Sequence, residues 1–125
     1  MYCLRYEYGV CWRKNIIKIL TYGYICRYIK EAIDEGTIDT WSYDFDGDFT
    51  HETDQWRRRA WIGAVAEDHR VVFYAICRED RNMSITEYAV FHGRFLEMLL
   101  AHFDHECSRI EVTPLATKYD RVNHN

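Results

Sequence analysis

Aromatic and acidic residues alternate strictly over the nine positions from Trp41 to Phe49. One parity carries the aromatic residues and a glycine: Trp41, Tyr43, Phe45, Gly47 and Phe49. The other parity carries a serine and the acids: Ser42, Asp44, Asp46 and Asp48. A period of two predicts a β-strand with one buried aromatic face and one acidic face.

A basic run follows this predicted strand, and the distance between the two suggests a hairpin. If residues 50–55 form the loop, Asp48 faces Arg57 and Asp46 faces Arg59 on the acidic side. Opposite charges across a hairpin favour its register. We therefore expect structural ion pairs here.

Two further strands are predicted at Ala60 to Glu67 and at Arg70 to Arg78, joined by a tight turn at residues 68–69. This register pairs Ala64 with Phe73 on the inner face, which matches the parity of the first hairpin. The outer face then carries five apolar residues, Trp61, Val65, Val72, Tyr74 and Ile76, with Arg59 and Arg78 together at one end.

The predicted outer face is unusual, because a sheet that packs on one side only is polar on the other. Either the N-terminal segment covers this apolar patch as a second core, or another protein chain does. Exposed patches of this size mark interfaces. The patch and its two arginines are therefore the predicted binding surface.

The N-terminal third of the chain predicts a strand and a helix. Residues 2–8 alternate as a strand would, and Asn15 to Glu35 suggests a helix ended by Gly36. The clearest apolar stripe falls in its second half: Ile25, Tyr28, Ile29, Ala32 and Ile33. Whether residues 1–22 are strand or helix is left open by their pattern.

A second helix is predicted to begin at Ser84. Ser84 and Glu87 have the spacing of a capping box, and Met83 and Tyr88 that of a hydrophobic staple. The stripe assigned to the core comprises Ile85, Ala89, Leu96, Leu99 and Phe103. A short strand at Arg109 to Thr113 and a polar tail at 118–125 complete the chain.

These elements predict one α+β domain over residues 1–125, with the order β-α-β-β-β-α-β. We expect an antiparallel sheet of three or more strands, with one or two helices packed on one face. The central α-β-β-β-α order is similar to that of the double-stranded-RNA-binding domain. That family has a basic start to its second helix, whereas this helix starts Ser84-Ile85-Thr86-Glu87, so RNA binding is not expected.

Charge and cysteine content narrow the class of protein. The net charge of −4 disfavours nucleic acid as a partner. The 5 cysteines are scattered and odd in number, which indicates reduced thiols in a cytoplasmic protein. We find no signal peptide and no apolar run of the ~20 residues that a membrane span requires.

Candidate chemistry is sparse. Counted from Asp44, glycine and glutamate miss the positions that a calcium loop requires, so no metal is expected at Asp44, Asp46 and Asp48. His102 and His105 could share a metal, but histidines also suit a helix C-terminus. His92 lies on the apolar side of the second helix and is a possible ligand or pH-switch residue.

The sequence therefore predicts a small, soluble, non-catalytic binding protein of the adaptor, inhibitor or immunity type. It would act through the sheet face on a protein partner, or as a homodimer. No catalytic residue and no cofactor are assigned. The alternative is a small ligand- or metal-dependent enzyme, or a ligand-binding domain, using the Asp44, Asp46 and Asp48 face, nearby arginines and His92.

Overall fold

The computed structural model describes residues 2–5, 25–67, 70–107 and 109–122 of the 125-residue chain. Two helices fall within these ranges: α1, helical over residues 25–34, and α2, Ile85–His102. The six strands are β1 Tyr2–Arg5, β2 Trp41–Tyr43, β3 Phe49–His51, β4 Ala60–Glu67, β5 Arg70–Cys77 and β6 Arg109–Val112.

All six strands belong to one antiparallel sheet with the order β2-β3-β4-β5-β1-β6. The α+β class and the antiparallel sheet predicted from the sequence are confirmed. β1 confirms the start of the predicted N-terminal strand, and it lies between β5 and β6. Its continuation to residue 8 and the first half of the predicted helix lie outside the described residues.

The hairpin of β4 and β5, here the central hairpin, has the predicted register. Ala64 lies opposite Phe73 and Ala60 opposite Cys77, with all eight positions of each strand paired. Ile62, Phe73 and Ala75 are buried on the inner face. A two-residue connection favours this register. Because both faces of the hairpin are apolar, the packing of the helices decides which of them joins the main core.

The single strand predicted from Trp41 to Phe49 is wrong. β2 and β3 form a hairpin of their own, here the edge hairpin, in which Tyr43 lies opposite Phe49. Asp44 accepts a hydrogen bond from the Gly47 N–H at 3.0 Å, and Gly47 has a φ of +85°. Aspartate at the first and glycine at the fourth position are typical of a type I turn, so the chain reverses inside the alternating stretch.

Both helices contribute to the core on the inner face of the sheet, as predicted. Ile25, Cys26 and Ile29 of α1 are buried, whereas Tyr28 of the predicted stripe is 38% exposed. Gly36 ends the helix with a φ of +80°, and its N–H donates to the Ile33 carbonyl at 3.1 Å.

The capping box of α2 is confirmed: Ser84 Oγ accepts from the Glu87 N–H at 3.1 Å, and Met83 and Tyr88 are buried beside it. The predicted stripe is wrong in part, because Ile85 and Ala89 are exposed. The buried residues of α2 are Tyr88, Phe91, His92, Phe95, Met98 and Leu99. Three large aromatic rings on one face remove more apolar area from water than the predicted residues would.

Part of the predicted polar tail lies against the sheet. The Arg121 N–H donates to the Ala75 carbonyl at 2.8 Å, and the Arg121 carbonyl accepts from the Cys77 N–H at 2.9 Å. The two bonds form a parallel bridge between Arg121 and Ile76. β1 pairs with residues 70–73 of β5, so the bridge lies just beyond the end of β1. The segment therefore extends the hydrogen bonding along the β1 side of β5.

Candidate functional site

The predicted apolar surface lies on the face of the central hairpin that points away from the main core. Cross-strand neighbours there pair Trp61 with Ile76 and Val65 with Val72. Val72 is fully buried, whereas Trp61, Val65 and Ile76 are half-buried. We name this set, together with Tyr74, the outer face. The parity on which the sequence argument depended is correct.

Tyr74 crosses the middle of the outer face. A Cβ built on Gly63, its cross-strand partner, would lie 2.5 Å from the Tyr74 ring, so the ring rests directly on the glycine backbone. The Arg121 guanidinium carbon is 5.7 Å from the centre of the same ring, a cation–π distance. Tyr119, like Tyr74, packs against Val72. The C-terminal segment thus contributes two side chains to this surface.

The two flanking arginines lie side by side at one end of the outer face, since the Arg78 N–H donates to the Arg59 carbonyl at 3.0 Å. Their side chains differ in their partners. Arg78 forms a salt bridge with Asp80. The hydrogen bond that Arg78 donates in this pair holds the pKa of the Asp80 carboxyl below its usual value. The Arg59 guanidinium instead donates to the Gln55 carbonyl at 3.4 Å.

The ion pairs predicted for the acidic residues are wrong. Arg57 pairs with Glu52 at 2.8 Å, and not with Asp48. The reason is the turn at residues 44–48, which holds Asp46 and Asp48 at the tip of the edge hairpin, away from the segment that contains the arginines.

One ligand atom from each of Asp44, Asp46 and Asp48 lies within 4.8 Å of the others. Burial and then the charges of Asp44 and Asp46 raise the pKa of the Asp48 carboxyl. The Asp44 carboxylate already accepts the Asp48 N–H at 2.9 Å, a bond that stabilises the turn. The predicted absence of a metal at this turn stays a prediction.

His92 is a core residue in the described structure. It is 5% exposed, and its ring meets the Tyr88 ring edge-on at 4.2 Å between centres. Burial lowers the pKa of the imidazole to about 4, so His92 is neutral at physiological pH. The Tyr88 hydroxyl donates to Asp120 at 3.1 Å, which connects this part of α2 to the C-terminal segment.

His102 and His105 are exposed at the end of α2 and in the turn after it. The Nε2 atom of His105 is 3.9 Å from Asp104. Within the ranges that the structure describes, the aspartates of the edge hairpin are the one group of three or more ligating side chains close enough to share an ion. The two histidines belong to no such group.

The sequence does not predict either of two cavities that the structure places beside α2. The larger, of about 570 Å³, lies between the edge hairpin and α2 and includes His51 and Arg94. The smaller, of about 360 Å³, lies between the segment before β4 and the start of α2, and includes Arg59 and Arg81. Both depend on tertiary contacts between distant segments, which no local pattern indicates.

The chain matches no protein-family model, no curated protein and no solved structure. Within the described ranges, neither helix combines the length and the apolar character that a membrane span requires.

Proposed function

We propose that the protein is a small, soluble, non-catalytic binding protein that docks a second protein chain on its outer face. The observation that carries this proposal is the side-chain parity of the central hairpin. The register that buries Ile62 and Phe73 in the main core directs Trp61 and Ile76 to the opposite face.

The chemistry of the outer face suits a protein partner better than water. Alternate positions of a strand that borders solvent are ordinarily polar, whereas here they are tryptophan, valine, tyrosine and isoleucine. Tryptophan, tyrosine and arginine are the residues that most often dominate the energy of protein interfaces. Trp61, Tyr74 and Arg121 place all three types on one surface.

The geometry gives less support to the alternative of a ligand-dependent enzyme. His92 is packed in the core beside Tyr88, and the three aspartates lie at the tip of the edge hairpin. Neither of the two cavities is lined by any of these four residues.

A cytoplasmic location is part of the proposal. Two buried cysteines, Cys26 and Cys77, are free thiols. Burial raises the pKa of the Cys26 thiol to about 11, so this group is an unreactive core residue.

The test is substitution of Trp61 by arginine, with Val90→Arg as the matched control. Val90 is an exposed apolar residue of α2, 38% exposed, on the far side of the helix from the core. Sedimentation equilibrium between about 1 and 100 µM, the range of weak to moderate protein affinities, measures self-association. We expect wild type and Val90→Arg to associate and Trp61→Arg to stay monomeric, with all three melting at similar temperatures.

A monomeric wild-type protein would rule out the homodimer and leave a different protein as the partner of the outer face. Loss of the cooperative thermal transition in Trp61→Arg alone would show that the outer face is a second core of the monomer. That result would contradict the proposal.

A further inference from the structure

The smaller cavity has an apolar floor and a polar rim. Trp56, Met83 and Cys77 are buried residues that form its floor. Gln55 and Asn82 contribute amide groups at the rim. A volume of about 360 Å³ is at the lower end of the range found for small-molecule sites, roughly 300–1,000 Å³. The space fits a ligand of about the size of one aromatic ring with one polar substituent.

Two guanidinium groups at the rim set this cavity apart from the rest of the surface. Elsewhere in the described ranges, the arginines that form salt bridges with carboxylates are Arg27, Arg57, Arg70, Arg78, Arg94 and Arg109. Arg59 and Arg81, which line the cavity, form no such salt bridge with any described carboxylate. Arg58 and Arg121 also form no salt bridge with a described carboxylate, but Arg59 and Arg81 are the two of these four arginines that line this cavity.

The start of α2 adds to the positive potential. Asn82 and Met83 immediately precede the N-cap residue Ser84, and the N-terminal end of a helix carries a partial positive charge. Glu87 is the one carboxylate that lines the cavity, and its side chain accepts from the Ser84 N–H at 3.5 Å. Two arginines against one glutamate leave the lining with a net positive charge.

We propose that this cavity binds a small organic anion, a carboxylate or phosphate ester with an apolar body. The apolar part would lie on Trp56 and Met83, and the acidic group would lie between Arg59 and Arg81. A guanidinium binds either acidic group through two parallel hydrogen bonds. This site is separate from the outer face, and Arg81 belongs to the cavity alone, so the two proposals can fail independently.

The experiment is a titration of the full chain, followed by the amide and indole N–H signals in NMR. The probes are benzoate and phenyl phosphate, with inorganic phosphate and benzyl alcohol as the charge-only and ring-only controls. We expect shifts at Asn82, Met83 and the Trp56 indole, with a Kd of about 1 mM for at least one probe, as is typical of a ligand of this size. The two controls should bind at least about tenfold more weakly, because inorganic phosphate lacks the aromatic ring and benzyl alcohol lacks the acidic group.

The variants Arg59→Gln and Arg81→Gln should each weaken the probe that binds by about tenfold, the effect of losing one charge-assisted hydrogen bond. Arg27→Gln, which removes an exposed arginine of α1, should leave its affinity unchanged. The thermal melting curves of all three variants establish that they are folded.

Two results would overturn the proposal. One is the absence of shifts at the cavity residues with both organic anions at 10-fold the expected Kd. The other is equal weakening by Arg27→Gln and Arg81→Gln, which would show general screening of charge and no specific site. A probe that binds normally to Trp61→Arg would separate this site from the outer face.

Discussion

The central hairpin and the edge hairpin are built from similar residues, yet they are held together in different ways. The central hairpin pairs eight residues on each strand and contributes Ile62, Phe73 and Ala75 to the main core. The edge hairpin pairs three residues on each strand. It also contributes Trp41 and Phe49 to that core, and its turn is closed by hydrogen bonds among Asp44, Gly47 and Asp48. The central hairpin is therefore held by long strand pairing as well as packing, whereas the short edge hairpin depends more on the geometry of its turn.

The largest expected difference between the two hairpins comes from one substitution made in each. Phe73 is fully buried, with its ring centre 4.9 Å from that of Phe95, whereas Phe45 at the tip of the edge hairpin is fully exposed. Phe73→Ala should lower the free energy of unfolding by about 3–5 kcal/mol, because it leaves a cavity in the core. Phe45→Ala should change it by less than about 0.5 kcal/mol. Urea denaturation measures both, and similar losses would contradict the comparison.

A smaller loss is expected where Tyr74 lies on Gly63 in the central hairpin. Gly63→Ala should cost about 1–3 kcal/mol, because the new methyl group would force the Tyr74 ring from its place. The same change in a Tyr74→Ala background should cost much less, since the ring is no longer there. A double-mutant cycle by urea denaturation gives the coupling. Additive effects would show that the contact between ring and backbone contributes nothing.

The turn of the edge hairpin should be sensitive to Gly47. Its φ of +85° is unfavourable for a residue with a Cβ, and an added Cβ would lie 2.8 Å from Lys30 Nζ. Gly47→Ala should therefore cost about 1–2 kcal/mol. Gly93→Ala is the control, because that glycine lies in α2 with open space around it and should gain about 0.5–1 kcal/mol. Thermal melts that rank the two variants in the opposite order would show that the turn is not strained.

The smallest effect is expected from charge repulsion in the same turn. Burial and the neighbouring aspartates raise the pKa of Asp48, so the folded protein binds the proton more tightly than the unfolded chain does. Stability from this group is therefore present at acidic pH and is lost as the pH rises through the folded pKa. Asp48→Asn should raise the stability at pH 7 by up to about 0.5 kcal/mol, the size of a typical surface effect. The difference from wild type should disappear at acidic pH, and a constant difference would exclude repulsion as the cause.

The contrast between the hairpins also explains which parts of the fold the sequence predicts. In the central hairpin, two long apolar strands joined by a two-residue connection specify one register. The Ser84–Glu87 box is equally local, and both predictions are correct. The edge hairpin misleads because its aspartates and aromatics keep a strand-like period through the turn. The local signal for the turn is Asp44 at its first position and Gly47 at its fourth, where these residue types favour a type I turn.

The candidate site is predictable only in part, for a related reason. Trp61 of β4 and Tyr74 of β5 share the outer face because the register of the two strands aligns their alternating side chains. Arg59 and Arg81 come together because Ala60 pairs with Cys77 and the next loop then returns toward α2. That approach depends on where a helix packs, and spacing in the sequence contains no information about it. The sequence predicts the wrong buried face for the start of α2 for the same reason, since helix packing decides which side chains enter the core.

The position of β1 has a consequence for the order in which the chain folds. Residues 2–5 lie between residues 70–73 and residues 109–112, so their partners are supplied by much later parts of the chain. The central hairpin, in contrast, pairs two strands that follow each other directly in the chain, from Glu67 with Arg70 to Ala60 with Cys77. Loop closure over long separations slows folding, so β1 should join the sheet late. Until it does, the β1 side of β5 is an open edge, and at that stage of folding the chain is most exposed to pairing with a strand of another molecule.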